Sequence, residues 1–131
     1  MRVRKEIMGV GFDDLTLEEA VDSIDRVFTD SVEAHRISDV EVGCFLSAGV
    51  DSSLVANETS HIMKAKTFSI GYGEQKYSEL EAAATFADAM GLENYSRGID
   101  AAAFFESVPA VQYHMDDPLP NPSAVPLYHL A

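Results

Sequence analysis

A chain of 131 residues with 47% hydrophobic content has the size and composition of one globular domain, able to bury roughly two thirds of its unfolded surface, which excludes a disordered or fibrous protein. A net charge of −13 with nine Lys and Arg argues against nucleic acid as a partner, because a duplex or tRNA backbone is repelled unless a local basic patch exists, and the sequence shows none. No run approaches the roughly 20 apolar residues of a membrane-spanning helix, Ile7 to Phe12 is too short and glycine-broken for a signal peptide, and the single cysteine, Cys44, reads as a core residue. The expected setting is therefore soluble, reducing and cytoplasmic, with no membrane partner.

Residues 1–14 read as an N-terminal extension and 15–131 as the domain proper. Thr16-Leu17-Glu18-Glu19 has the pattern of a capping box, and Leu17, Ala20, Val21, Ile24, Val27, Phe28 and Val32 recur at helical spacing, predicting a helix over about 17–36. A strand follows over Val40 to Leu46, then a helix from Ser53 to about Met63 and a second strand from Lys66 to Gly71. Ser78-Glu79-Leu80-Glu81 is a second capping box, opening a helix that Gly91 stops. A short strand near Asn94 to Ile99 leads to Asp100, which can cap a helix that Pro109 is expected to interrupt. Asp116 to Ser123 is a proline-stiffened loop, and Val125 to Ala131 begins another helix. Strands alternating with helices predict an α/β fold with a parallel sheet, whose ligands bind at the C-terminal strand ends.

The stretch Val42 to Val55 carries the chemistry. An apolar strand runs into Ser47-Ala48-Gly49, where small side chains let a ligand approach the backbone, and then into a helix whose N–H groups and positive dipole end face an anion. No lysine follows, and neither common nucleotide loop motif is present. Asp51 sits where phosphates would lie, which makes electrostatic sense if Mg²⁺ bridges the carboxylate and the phosphate oxygens. Two readings stand side by side. One is a phosphate cradle; the other is a plain strand-to-helix turn in which Asp51 or Ser52 caps the helix and Ala48-Gly49 makes the bend.

Ser47-Ala48-Gly49-Val50-Asp51-Ser52 resembles the Ser-Gly-Gly-x-Asp-Ser pyrophosphate loop of the N-type ATP pyrophosphatases. Ala48 departs from the family's first glycine; a positive φ there would cost of order 1 to 2 kcal/mol, and a negative φ nothing. Ser38-Asp39-Val40, Thr67 to Gly71, Tyr77-Ser78-Glu79 and the two blocks Tyr113 to Pro118 and Pro126-Leu127-Tyr128 extend the resemblance to asparagine synthetases, from about residue 15 to the end. Asp117 stands where that family usually has Glu. The resemblance implies a three-layer adenine-nucleotide α-hydrolase-like fold, here truncated, with a parallel sheet flanked by helices.

It also implies a two-step reaction. Aspartate attacks the α-phosphorus of ATP, giving an aspartyl-adenylate and pyrophosphate, and ammonia from glutamine then displaces AMP. Carried over by position, Ser47, Gly49, Ser52 and Ser53 hold the departing pyrophosphate, and Asp51 is the catalytic residue that organises Mg²⁺. Leu46 and Ile70 match residues lining the adenosine site, and Glu79 matches an acidic position near the nucleotide. Each has a plainer alternative: strand-end core packing for Leu46 and Ile70, and the N-terminal charge of a helix for Glu79.

The family's glutaminase half begins with a catalytic cysteine at position 2, where this chain has Arg2. Its second phosphate motif, Ser-Gly-Glu-Gly-x-Asp-Glu, is expected after the last helix. The chain therefore reads as a fragment of a longer synthetase that carries a glutaminase domain, inactive alone in complete asparagine synthesis and prone to self-association through an uncovered sheet edge. Two other readings remain: a pyrophosphatase relative with another acceptor, such as a β-lactam-forming enzyme, and a non-catalytic nucleotide-binding or interaction module. The four histidines show no metal-ligand spacing.

Overall fold

The computed structural model describes residues 15–72, 79–116, 121 and 123–131. The chain divides into two compact units, Met1–Asp39 and Val40–Ala131. The first contains helix α1 (Leu17–His35), one residue shorter than the periodicity predicts. Its capping box is formed: the Thr16 N–H donates to Glu19 Oε2 at 2.8 Å, and the Glu19 N–H donates to Thr16 Oγ1 at 3.3 Å. The Thr16 backbone bond, with the Thr16 hydroxyl, holds the Glu19 carboxyl below the ordinary carboxylate range.

The second unit runs β1 (Gly43–Phe45), α2 (Val50–Ile62), β2 (Lys66–Tyr72), α3 (Leu80–Met90), β3 (Glu93–Ile99), α4 (Ala101–Met115) and α5 (Ala124–Leu130). The strands form a parallel sheet in the order β1-β2-β3, with Cys44 opposite Thr67 and Thr67 opposite Asn94. This is the predicted α/β architecture of a parallel sheet flanked by helices. Successive strand side chains alternate between faces. Cys44 and Leu46 point to one face and meet Ala56 of α2 and Ala83 and Ala87 of α3 in the core cluster, with Phe86 and Leu92 packed against it. On the other face Tyr72 meets Phe104 of α4, ring centroids 6.1 Å apart, and the Arg97 guanidinium donates to the His129 carbonyl of α5.

The alanines of α3 lie over a polar stretch of β2. Thr67 and Ser69 are fully buried, and both hydroxyls donate to Asn94 Oδ1 at 3.0 Å, so the buried polar atoms are satisfied across the strand pair. Gly91 ends α3 in the left-handed region at φ 66°, and its N–H and that of Leu92 return to carbonyls of the last turn, as its place in the sequence predicts. Asp100 caps α4, accepting from the Ala103 N–H at 2.8 Å.

Beyond one-residue differences at the ends of α1, β2, β3 and α5, four features depart from the sequence expectations. β1 is confined to Gly43–Phe45, because its only hydrogen-bonded neighbour among the described residues, β2, begins opposite Gly43; the Leu46 N–H still donates to the Phe68 carbonyl at 2.8 Å. α2 begins at Val50, three residues before Ser53, with Gly49 as its N-cap, so neither Asp51 nor Ser52 is the cap. α3 begins at Leu80 with Glu79 as N-cap and no side-chain cap bond, while Ser78, the expected capping hydroxyl, lies outside the described residues. α4 continues through Pro109. The bond that proline cannot donate belongs to the Phe105 carbonyl, and both residues are exposed, so water can take that carbonyl. Asp117 also lies outside the described residues.

Candidate functional site

The turn from β1 into α2 places Ser47 to Ser53 beyond the C-terminal end of the sheet. Gly49 is extended, at φ −75° and ψ 148°, and Asp116 is the one described non-glycine residue with positive φ, so Ala48 adopts its conformation without left-handed strain. The glycine at 49 answers a close approach: a Cβ there would stand 3.2 Å from Ser47 Oγ. Ser52 folds back over the turn. Its hydroxyl accepts from the Ser47 N–H at 3.1 Å and lies 2.8 Å from the Ser47 hydroxyl, which accepts from the Gly49 N–H at 3.1 Å. The Ala48 N–H donates to Glu79 Oε2 at 3.3 Å, joining the turn to the start of α3.

Three consecutive amides of the turn are thus engaged by side chains of the chain itself. The next three, of Val50, Asp51 and Ser52, are the first-turn N–H groups of a 13-residue helix and have no intrahelical acceptor. The Ser53 N–H closes the first helical bond, to the Gly49 carbonyl at 3.2 Å. An exposed carboxylate, Asp51, stands in the same first turn. A helix start of this kind, with a hydroxyl-braced approach, can accept an oxygen-rich anion.

A model of the asparagine synthase family matches residues 23–131. The chain belongs to the asparagine synthase family. It is 40% identical over 115 residues to asparagine synthetase [glutamine-hydrolyzing] 1 of Bacillus subtilis, covering 87% of this chain and 18% of that protein. It is 34% identical over 111 residues to a putative asparagine synthetase [glutamine-hydrolyzing] of Mycobacterium bovis, covering 84% of this chain and 17% of the relative. Against a Methanocaldococcus jannaschii protein with the same putative description the identity is 31% over 109 residues, covering 81% and 21%. The chain therefore spans about a fifth of the length of these curated relatives.

Within this asparagine synthase domain, Ser47, Gly49, Asp51, Ser52, Ser53 and Glu79 lie at or beside the turn, with Ser53 half-buried one turn into α2. Leu46 is 3% exposed and packed in the core, so its side chain is taken up by packing. Ile70 alternates with the buried Ser69 and therefore faces the side of the sheet opposite Leu46; the two side chains do not converge on one pocket. In a phosphate site the backbone donors, Ala48 and Val50 above all, would be functional groups that residue types alone do not reveal, because every amide carries the same N–H.

Elsewhere the unit holds two further polar clusters. At the opposite end of the sheet a groove of about 880 Å³ is lined by Glu41, His61, Lys64, Lys66, Gly91 and Glu93 among others. There Lys66 Nζ pairs with Glu41 Oε2 at 2.7 Å, which lowers the Glu41 carboxyl and raises the Lys66 ammonium from their ordinary values. Between α4 and α5 the Ser107 hydroxyl meets His129 Nε2 at 2.7 Å and also donates to the Ala103 carbonyl, fastening the two helices. His114 stacks on Tyr128 at 6.1 Å, a packing contact. Among the described residues no three His, Cys, Asp or Glu side chains form a metal-binding cluster, and no helix is long and apolar enough to cross a membrane.

Proposed function

We propose that this chain is the pyrophosphate-gripping part of an ATP-dependent amide-forming ligase, one that makes asparagine from aspartate in the longer protein. The observation that carries this is the Ser47–Ser53 turn, with its open amides at Val50, Asp51 and Ser52, in a chain of the asparagine synthase family. In the proposed reaction an aspartate side-chain carboxylate oxygen attacks the α-phosphorus, the bond from that phosphorus to the bridging oxygen breaks, and pyrophosphate leaves. The nitrogen of glutamine-derived ammonia then attacks the acyl carbon, and the carbon–oxygen bond to AMP breaks.

The turn would act in the first step. Charge builds on the departing pyrophosphate, and donors fixed beforehand stabilise that charge more than they stabilise bound ATP. The α2 amides supply such donors, while the Ser47–Ser52 hydroxyl pair fixes the shape of the approach. Asp51 would hold Mg²⁺ together with phosphate oxygens, a donor set of hard oxygens that suits this ion without a protein cage. Bound there, the ion supplies neutralising charge to the leaving group. Leu46 through its backbone, and Ile70, remain candidates for the adenosine side.

Two measurements test this. Calorimetric titration of the chain with ATP and excess Mg²⁺ should give saturable binding that Asp51→Ala weakens about tenfold or more; no binding up to millimolar ATP contradicts the proposal for this chain. In the full-length protein, aspartate should be the acid that triggers pyrophosphate release from ATP, and release with a different acceptor would favour another pyrophosphatase branch. We also propose self-association, supported by β1 having one hydrogen-bonded neighbour among the described residues. A clean monomer in sedimentation at tens of micromolar would contradict it.

A further inference from the structure

Among the described residues, Glu79 is the side chain from outside the turn that hydrogen-bonds its backbone. The Ser47 and Gly49 amides go to neutral hydroxyls of the turn, whereas the Ala48 amide between them goes to a carboxylate 31 positions along the chain. A carboxylate oxygen and a phosphate oxygen are interchangeable acceptors for such an N–H. Glu79 is exposed and makes no side-chain cap bond as the N-cap of α3, so this carboxylate is not held by helix capping.

We propose that Glu79 is an internal competitor for the phosphate turn: its carboxylate takes the Ala48 amide, and an anion gains that donor only by displacing it. The proposal rests on the phosphate reading of the turn given above. Two consequences follow from charge. A metal-free polyphosphate meets Glu79 as well as Asp51, both negative, in a chain of net charge −13, so the turn disfavours it. A polyphosphate carrying Mg²⁺ is less penalised, because the ion offsets the phosphate charge that the carboxylates oppose. Glu79 in this role is a selectivity device that biases the turn toward the metal complex.

The test is titration of the 131-residue chain and of Glu79→Ala with inorganic pyrophosphate, once in EDTA and once in excess Mg²⁺. Glu79→Ala should bind metal-free pyrophosphate about two- to fivefold more tightly, the size of an exposed charge contact, with a smaller gain in Mg²⁺. Unchanged or weaker metal-free binding in the variant overturns the proposal and leaves the phosphate reading standing. Saturable binding by neither protein overturns both. Without any anion, the Ala48 amide proton resonance should move upfield in Glu79→Ala while resonances of the core alanines stay in place, and an unmoved Ala48 resonance also overturns the proposal.

Discussion

The two ends of the sheet solve different problems with similar materials. At the N-terminal strand ends the chain forms its groove of about 880 Å³, but the charges lining it are partly matched, Lys66 against Glu41. At the C-terminal end of β1 there is a small turn whose hydroxyls hold it in shape and whose next three amides have no intrahelical acceptor. On the proposed reading the groove, with charges already paired, makes the weaker demand for a ligand, and the first-turn amides of α2 make the stronger one. Volume measures room; backbone donors without an intrahelical acceptor at a helix start measure what an anion can gain.

That contrast can be broken from either end. The largest effect is expected from Gly43→Val beside the groove. A Cβ at Gly43 would stand 2.5 Å from the Phe68 ring and 3.1 Å from the Lys66 carbonyl, so the variant should lose about 1–3 kcal/mol in urea unfolding. Its folded fraction should bind Mg-ATP as the parent does. Asp51→Ala should do the reverse: a loss of about tenfold or more in Mg-ATP affinity, roughly 1.4 kcal/mol, against a stability cost of about 0.3–1 kcal/mol from removing a negative group at the α2 start. Equal ATP affinity in the two proteins would erase the distinction between the ends.

Ser52→Ala should fall between these, removing the acceptor of the Ser47 amide at a cost of about 1 kcal/mol by thermal or urea unfolding. The smallest effect belongs to the Glu41–Lys66 pair, which is exposed. Because pairing lowers the Glu41 carboxyl, its contribution is present above the ordinary glutamate value of 4.5 and fades as pH falls through the lowered value. The raised Lys66 ammonium contributes below its ordinary 10.5 and stops contributing as pH rises past its raised value. Lys66→Gln should flatten Glu41's part of the acid limb of the urea midpoint and leave Mg-ATP binding untouched.

Local signals were legible in the sequence where local contacts decide the outcome. Thr16 and Glu19 are three residues apart and close their capping box within one turn, and Gly91 stops α3 through its own backbone angles. The strand-helix alternation likewise yields the α/β class. The extent of β1 was not legible, because a strand ends where its neighbour's register ends. The start of α2 differs from the expectation because Asp51 and Ser52 are good capping types, while in the structure Gly49 takes the cap position and the Ser52 hydroxyl turns back to Ser47. Pro109 continues α4 because the carbonyl it orphans is on an exposed residue.

For the candidate site, the proximity of Ser47, Gly49, Asp51 and Ser52 is local, since they adjoin one another in sequence. The amide of Ala48 and its bond to Glu79 were not legible, since an N–H leaves no mark on residue type and the partner is brought by the packing of α3 beside α2. Alternation along the strands separates Leu46 from Ile70, a distinction that position matching alone does not make.

The most direct test of the claim that the Ser47–Ser53 turn grips phosphate is a two-dimensional amide NMR titration of the chain with Mg-ATP. Progressive shifts at Val50, Asp51 and Ser52, with the Ala48 amide moving as it leaves Glu79, are the predicted result. Shifts confined to His61, Lys64, Lys66 and Gly91 around the groove, or none up to millimolar nucleotide, would contradict it.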